Sequence, residues 1–183
     1  MPAEVLKSLS ALDDRLIEVL RAEDVKLLHA AWVRMQPDSF RIQRRQDLEA
    51  LQREVEGTGE LVPFLSADEA VALVRKGVRG IGVASHGWLS AGDPDPAGER
   101  MRMLRGALKE LPHIEAVFFD FPSLFQRART APQTEAFKRS LGVVRATPSF
   151  VHVAHAWSPT SSALVRCRWA TSTPQWSARR CCR

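Results

Sequence analysis

Two short apolar runs, Val78–Ala84 and Glu115–Phe121, constrain the fold more than any other feature of this chain. The first carries Val78, Ile81, Val83 and Ala84, and the second Ala116, Val117, Phe118 and Phe119. Neither shows the polar alternation of a half-buried strand, and both are flanked by turn residues, which is the pattern of strands covered on both faces. Between them lies a stiff loop, Gly92-Asp93-Pro94-Asp95-Pro96, in which Asp95 can cap a helix that has Pro96 at its first position. Met101, Leu104, Ala107 and Leu108 then recur on one face until about Leu111, and Pro112 closes the helix. Strand, helix and strand make a βαβ unit, with parallel strands and a right-handed crossover. The expected fold class is α/β, built on a Rossmann-like, mostly parallel sheet.

The flanking segments read as helices. Val5, Leu9, Leu12, Leu16, Val19 and Leu20 fall at three- and four-residue steps, and Leu27, Leu28, Ala31 and Trp32 continue them, so a helix is expected over 3–34. A second helix covers 44–56 and is broken by Gly57-Thr58-Gly59. Leu61–Leu65 is extended. Ser66 is an N-cap, with Glu69 completing a capping box, for a helix over Ala67–Lys76. Another helix is expected over Pro132–Leu141, with Phe137 and Leu141 facing the sheet, and Ser149–Ala154 can form one more strand. The expected organisation is N-terminal helices over 1–60, the α/β domain over 61–144, and an irregular tail over 145–183.

Charge separates the tail from the rest. All 21 acidic residues lie at or before Glu135, while 8 of the 26 basic residues lie after it. The chain up to Glu135 therefore holds 18 basic residues against 21 acidic ones, a net −3, and the overall +5 belongs to the tail. That argues against a nucleic-acid-binding surface on the main body. The tail also holds all three cysteines and three of the five tryptophans, and its periodicity is lost. Either Trp157, Trp169 and Trp176 stack on bases while arginines meet phosphate, or the segment is an off-frame end of the gene, whose GC-rich reading gives this composition. Cys167, Cys181 and Cys182 have neither metal-ligand spacing nor a good disulfide pair, which suits a reducing, cytoplasmic setting. No apolar run reaches the roughly 20 residues of a membrane span, so no membrane partner is expected.

In an open parallel sheet, ligands bind beyond the carboxyl ends of the strands, where crossovers diverge. The first run ends in Ser85-His86-Gly87-Trp88, and the second in Asp120 with Ser123 and Gln126 beyond it. His86 and Asp120 are the candidate acid–base residues, and Ser85, Trp88, Asp120 and Ser123 the candidate ligand contacts. Ser85 and His86 are neighbours in sequence and point to opposite faces of a strand, so they form no nucleophilic dyad. No metal is expected. The chain has no P-loop and no Gly-x-Gly-x-x-Gly, so a ribose contact at Asp120 is easier to build than a pyrophosphate cradle.

The runs Ser85-His86-Gly87-Trp88, Asp93-Pro94-Asp95-Pro96-Ala97-Gly98, Val117-Phe118-Phe119-Asp120-Phe121 and Arg127-Ala128-Arg129-Thr130, with Phe137, form one constellation. It resembles the S-H-x-W, P-D-P-x-G, φ-D-φ, R-T and F pattern of heterokaryon-incompatibility-like domains, distant relatives of TIR domains found in protists, algae and bacteria. Arg44-Arg45-Gln46-Asp47-Leu48 looks like that family's lead-in, and the resemblance spans about residues 40–144. It implies a flavodoxin- or TIR-type sheet, NAD as ligand, hydrolysis of NAD where the domain is active, and self-association in signalling. The relatives use a late acid in a W-x-x-E-like segment, whereas this chain has no Glu after Glu135. The resemblance therefore implies a nucleotide-binding or signalling domain that is catalytically incomplete in this form. A non-enzymatic interaction module is the alternative.

Overall fold

A computed structural model describes residues 13–76, 80–84 and 93–144, together with the backbone of 151–152. Helix α1 covers 13–21. It is followed by β1 (Leu28–His29), α2 (Ala30–Met35), α3 (Arg45–Val55), α4 (Ala67–Lys76), β2 (Ile81–Ala84), α5 (Glu99–Glu110), β3 (Ala116–Phe119), α6 (Asp120–Ser123), α7 (Ala131–Val144) and β4 (Val151–His152). Among the described residues no helix is long and apolar enough to cross a membrane.

The sheet has the order β1-β3-β2-β4. The two apolar runs lie side by side and parallel, with Ile81 opposite Ala116 and Ala84 opposite Phe119. β4 pairs parallel with the other side of β2, and β1 pairs antiparallel with β3. The sheet is thus mixed, with its parallel part at the centre.

Alternation along the two central strands builds two cores. Ala84, Val117 and Phe119 face Met101, Leu104 and Leu108 of α5, Trp32 and Val33 of α2, and Leu48 of α3. Ile81, Val83, Ala116 and Phe118 face Leu16 and Leu20 of α1, Ala70, Val71 and Leu73 of α4, and Phe137 and Leu141 of α7. Helices cover both faces, which is why the strands read as unbroken apolar runs. Arg34 fastens the first layer. Its guanidinium donates to the carbonyls of Leu108, Leu111 and Ile114 at 3.0, 3.0 and 2.9 Å, satisfying orphan acceptors at the end of α5.

The expected helix over 3–34 is corrected by the structure. α1 ends at Arg21, and Glu23, two residues on with a φ of +53°, reverses the chain as a left-handed cap does. The amides of Asp24 and Val25 both return to the Val19 carbonyl, at 2.9 and 3.2 Å. Residues after this turn are extended. β1 is bonded to β3 on one side, and on the other the His29 amide donates to Pro63 O (2.8 Å) and the Leu65 amide to Leu27 O (3.0 Å). The N-terminal segment therefore belongs to the same body as the sheet, and the expected boundary near residue 60 does not separate two cores. A second correction concerns α5. Pro96, Ala97 and Gly98 form a turn and the helix begins at Glu99, three residues later than expected. The expectations for 145–183, apart from the short strand now seen at Val151–His152, lie outside the described residues.

Candidate functional site

The register of β2 and β3 sets the candidate site. Because Ala84 is the partner of Phe119, β2 and β3 end at the same height, and Asp120 follows directly at the end of β3. Ser85, His86 and Trp88 lie outside the described residues, as does every expectation placed on them. The chain is described again from Asp93, and continuously through the end of β3 and Asp120.

Asp120 is half-buried and opens α6. Its Oδ1 accepts from the Phe121 amide at 2.8 Å, which turns the carboxylate toward the start of that short helix. Gln126 wraps the turn that follows. Its Nε2 donates to the carbonyls of Asp120, Phe121 and Leu124 at 3.3, 3.0 and 3.0 Å. Ser123 is elsewhere than a ligand contact needs to be. It is 0% exposed, and its Oγ accepts from the Phe119 amide at 3.1 Å. The hydroxyl closes the last turn of β3 from inside, so the expected role of Ser123 in ligand binding is replaced by a structural one.

Ahead of α5, Asp95 is buried and both its carboxylate oxygens are engaged. Its Oδ1 accepts from the Arg100 amide (3.1 Å) and its Oδ2 from the Met101 amide (2.9 Å). Asp95 therefore caps α5 as expected, but reaches across the intervening turn to do so. The Asp95 amide in turn donates to Asp93 Oδ1 at 2.8 Å. These contacts settle what the α5 N-terminus can hold. Its amides already bind a carboxylate and carry its negative charge, so a pyrophosphate does not fit there. Asp120, as a carboxylate, can accept hydrogen bonds from hydroxyls. Among the described residues no group of three or more His, Cys, Asp and Glu could hold a metal ion.

Behind the rim lies a polar cluster that sequence reasoning missed. Arg45, in the first turn of α3, is 1% exposed. Its Nε donates to Glu49 Oε1 (2.8 Å), its Nη1 to Asp24 O (2.8 Å) and its Nη2 to Glu23 O (2.6 Å). Its Cζ lies 3.6 Å from the centre of the Phe125 ring. Burial lowers the pKa of this guanidinium, and the charge and hydrogen bond of Glu49 oppose that shift. Asp24 faces Arg139 of α7, and its carbonyl also accepts from Ser140 Oγ at 3.1 Å. One signal for Arg45 was available: with Leu48 three residues on, it lies in the apolar stripe of α3, where a charge must find buried partners.

Comparison of the chain with protein-family models, with curated proteins and with solved structures returns no match.

Proposed function

We propose that this chain is a TIR-like, heterokaryon-incompatibility-like α/β domain that binds a nucleotide at the carboxyl rim of β2 and β3. The observation that supports the reading is the parallel register of Ala84 with Phe119, which ends β2 and β3 at the same height. The strand order supports it as well. With β3 on one side of β2 and β4 on the other, the three parallel strands have a flavodoxin-type order, in which the ligand crevice opens beside the first strand, here β2, on the side away from the second. Asp120 is the group we assign to the ribose, with Ser85, His86 and Trp88, which follow β2 in sequence, as the further contacts the sequence suggests. NAD is the nucleotide that the resemblance implies, and the late acid of the relatives has no counterpart among residues 136–183.

Calorimetric titration of the full chain with NAD tests the proposal, alongside Asp120→Asn and with circular dichroism confirming that both fold alike. Wild-type binding that weakens about tenfold or more in the variant is expected for loss of a hydrogen bond to a charged group. Equal affinity in the two proteins, or no binding at NAD concentrations of about 1 mM, sinks the assignment.

A further inference from the structure

We propose that Gln46 and Arg45 are positioning residues for the Asp120 rim, holding the loop after β3 from behind without touching the ligand. This inference rests on the nucleotide-binding reading above. Gln46 bonds to the backbone of Gln126 at both atoms. Its Nε2 donates to Gln126 O at 2.7 Å, and its Oε1 accepts from the Gln126 amide at 3.2 Å. A side-chain amide thus acts as one rung of a β-ladder, across 80 residues of sequence. The side chain of Gln126, fixed at its base in this way, donates to the Asp120, Phe121 and Leu124 carbonyls. One continuous chain of hydrogen bonds runs from Gln46 to the backbone of Asp120.

Arg45 holds the same loop one residue further back. Its guanidinium lies over the Phe125 ring at 3.6 Å, and its Nη1 reaches the Ser123 carbonyl at 3.5 Å. Nη1 also donates to the Asp24 carbonyl, Nη2 to the Glu23 carbonyl and Nε to Glu49. Only a planar, many-donor cation can stack on a ring and fork to several carbonyls at once. Two adjacent residues of α3 therefore grip Ser123, Phe125 and Gln126, three of the four residues that close the span after Asp120. Loops that carry functional groups gain precision when side chains from a rigid element hold them this way. α3 supplies that element, anchored in the core by Leu48.

The test uses the full chain with Gln46→Glu and Arg45→Lys. Glu at position 46 keeps the size and one acceptor but faces the Gln126 carbonyl with an oxygen. Lys at position 45 keeps the charge and loses the plane. Amide hydrogen exchange is read at Leu124 and Gln126, with the amides of α7 as internal reference, and NAD affinity is titrated in parallel. Exchange that speeds up about tenfold at 124 and 126 relative to α7 in Gln46→Glu, with a parallel loss of affinity, is the expected result for the lost bond to the Gln126 carbonyl and the oxygen–oxygen repulsion that replaces it. Exchange that rises equally in the loop and in α7 overturns the proposal, because it marks global destabilisation alone. So does local loosening with unchanged NAD affinity. A wild-type chain that binds no NAD overturns the functional reading and this inference with it. If the wild type binds and only the Asp120→Asn arm shows equal affinity, the ribose assignment fails while the positioning is still decided by the exchange ratio and the Gln46→Glu affinity.

Discussion

Asp24 and Arg139 meet through two parallel hydrogen bonds, Nε to Oδ2 at 2.6 Å and Nη2 to Oδ1 at 2.8 Å. The pair is lopsided: the Asp24 side chain is 4% exposed and that of Arg139 58%. Asp24 raises the pKa of Arg139 by accepting its hydrogen bonds and by its charge. Removing one partner therefore has different consequences from removing the other. Without Asp24, Arg139 turns into water. Without Arg139, a buried carboxylate loses both of its charged hydrogen bonds and keeps only the through-space charge of Arg45, which is the costlier case. Arg139→Ala is expected to lower the urea midpoint more than Asp24→Asn does, and the double variant is expected to recover part of the Arg139→Ala loss. A double-mutant cycle by urea denaturation checks the order; equal losses from the two single changes contradict it.

Ser123 gives a prediction that separates structure from ligand binding. Its Oγ is the acceptor for the Phe119 amide, and the residue has no exposed surface. Ser123→Ala strands a buried N–H at the end of β3, at a cost of about 1–3 kcal/mol. Thermal unfolding is expected to report that loss in full. Titration with NAD well below the melting range is expected to give unchanged affinity. A variant that keeps its stability and loses affinity would instead return the hydroxyl to the ligand.

The central strands, α3, the Ser66 cap and the helix before β4 were legible because each rests on local chemistry. Buried parallel strands must be apolar throughout, and Ser66 with Glu69 marks a helix start whatever lies around it. The turn at Glu23 was not legible. Leu27, Leu28, Ala31 and Trp32 keep helical spacing across it, and a two-residue strand is too short to impose its own period. The late start of α5 was hidden for a related reason: Asp95 caps across a turn, so the capping residue was found and the helix was placed too near it. At the site, Asp120 and Gln126 could be placed from the strand end alone. Gln46 and Arg45 could not, since their partners on the rim lie about 80 residues away in sequence and a side chain gripping a backbone leaves no motif.

Two glycines of one helix are expected to respond with opposite sign. Gly98 precedes α5 with φ +70°, and a Cβ there would press on the Arg41 guanidinium. The side chain of Arg41 can swing away, so the backbone conformation dominates the cost. Gly98→Ala is expected to destabilise by about 1–2 kcal/mol. Gly106 sits inside α5, and a Cβ built on it meets nothing within 4 Å. Gly106→Ala is expected to stabilise by about 0.5–1 kcal/mol, through helix propensity and a less flexible unfolded chain. Chemical denaturation of the two variants distinguishes the cases, and a gain at Gly98 would contradict the left-handed turn.

The capping box at α4 ties stability to pH. Glu69 Oε2 accepts from the Ser66 amide at 2.8 Å and from Ser66 Oγ at 2.7 Å, while Ser66 Oγ accepts from the Glu69 amide at 3.3 Å. The hydrogen bonds from Ser66 favour the ionised carboxylate and hold its pKa below the ordinary glutamate value. A folded-state pKa below the unfolded one means that folding is favoured while the group is ionised. The contribution is complete above the unfolded value of about 4.3 and fades as pH falls through the lower folded value. Ser66→Ala removes the cap and is expected to cost about 1 kcal/mol at neutral pH. Glu69→Gln removes only the part that depends on charge. Its difference from wild type is expected to shrink as pH falls from 5 toward 3, while Ser66→Ala keeps some deficit, because the Glu69 amide has lost its acceptor at every pH. Melting curves of the three proteins across that range check both slopes, and a Glu69→Gln difference that grows on acidification would show the sign to be wrong.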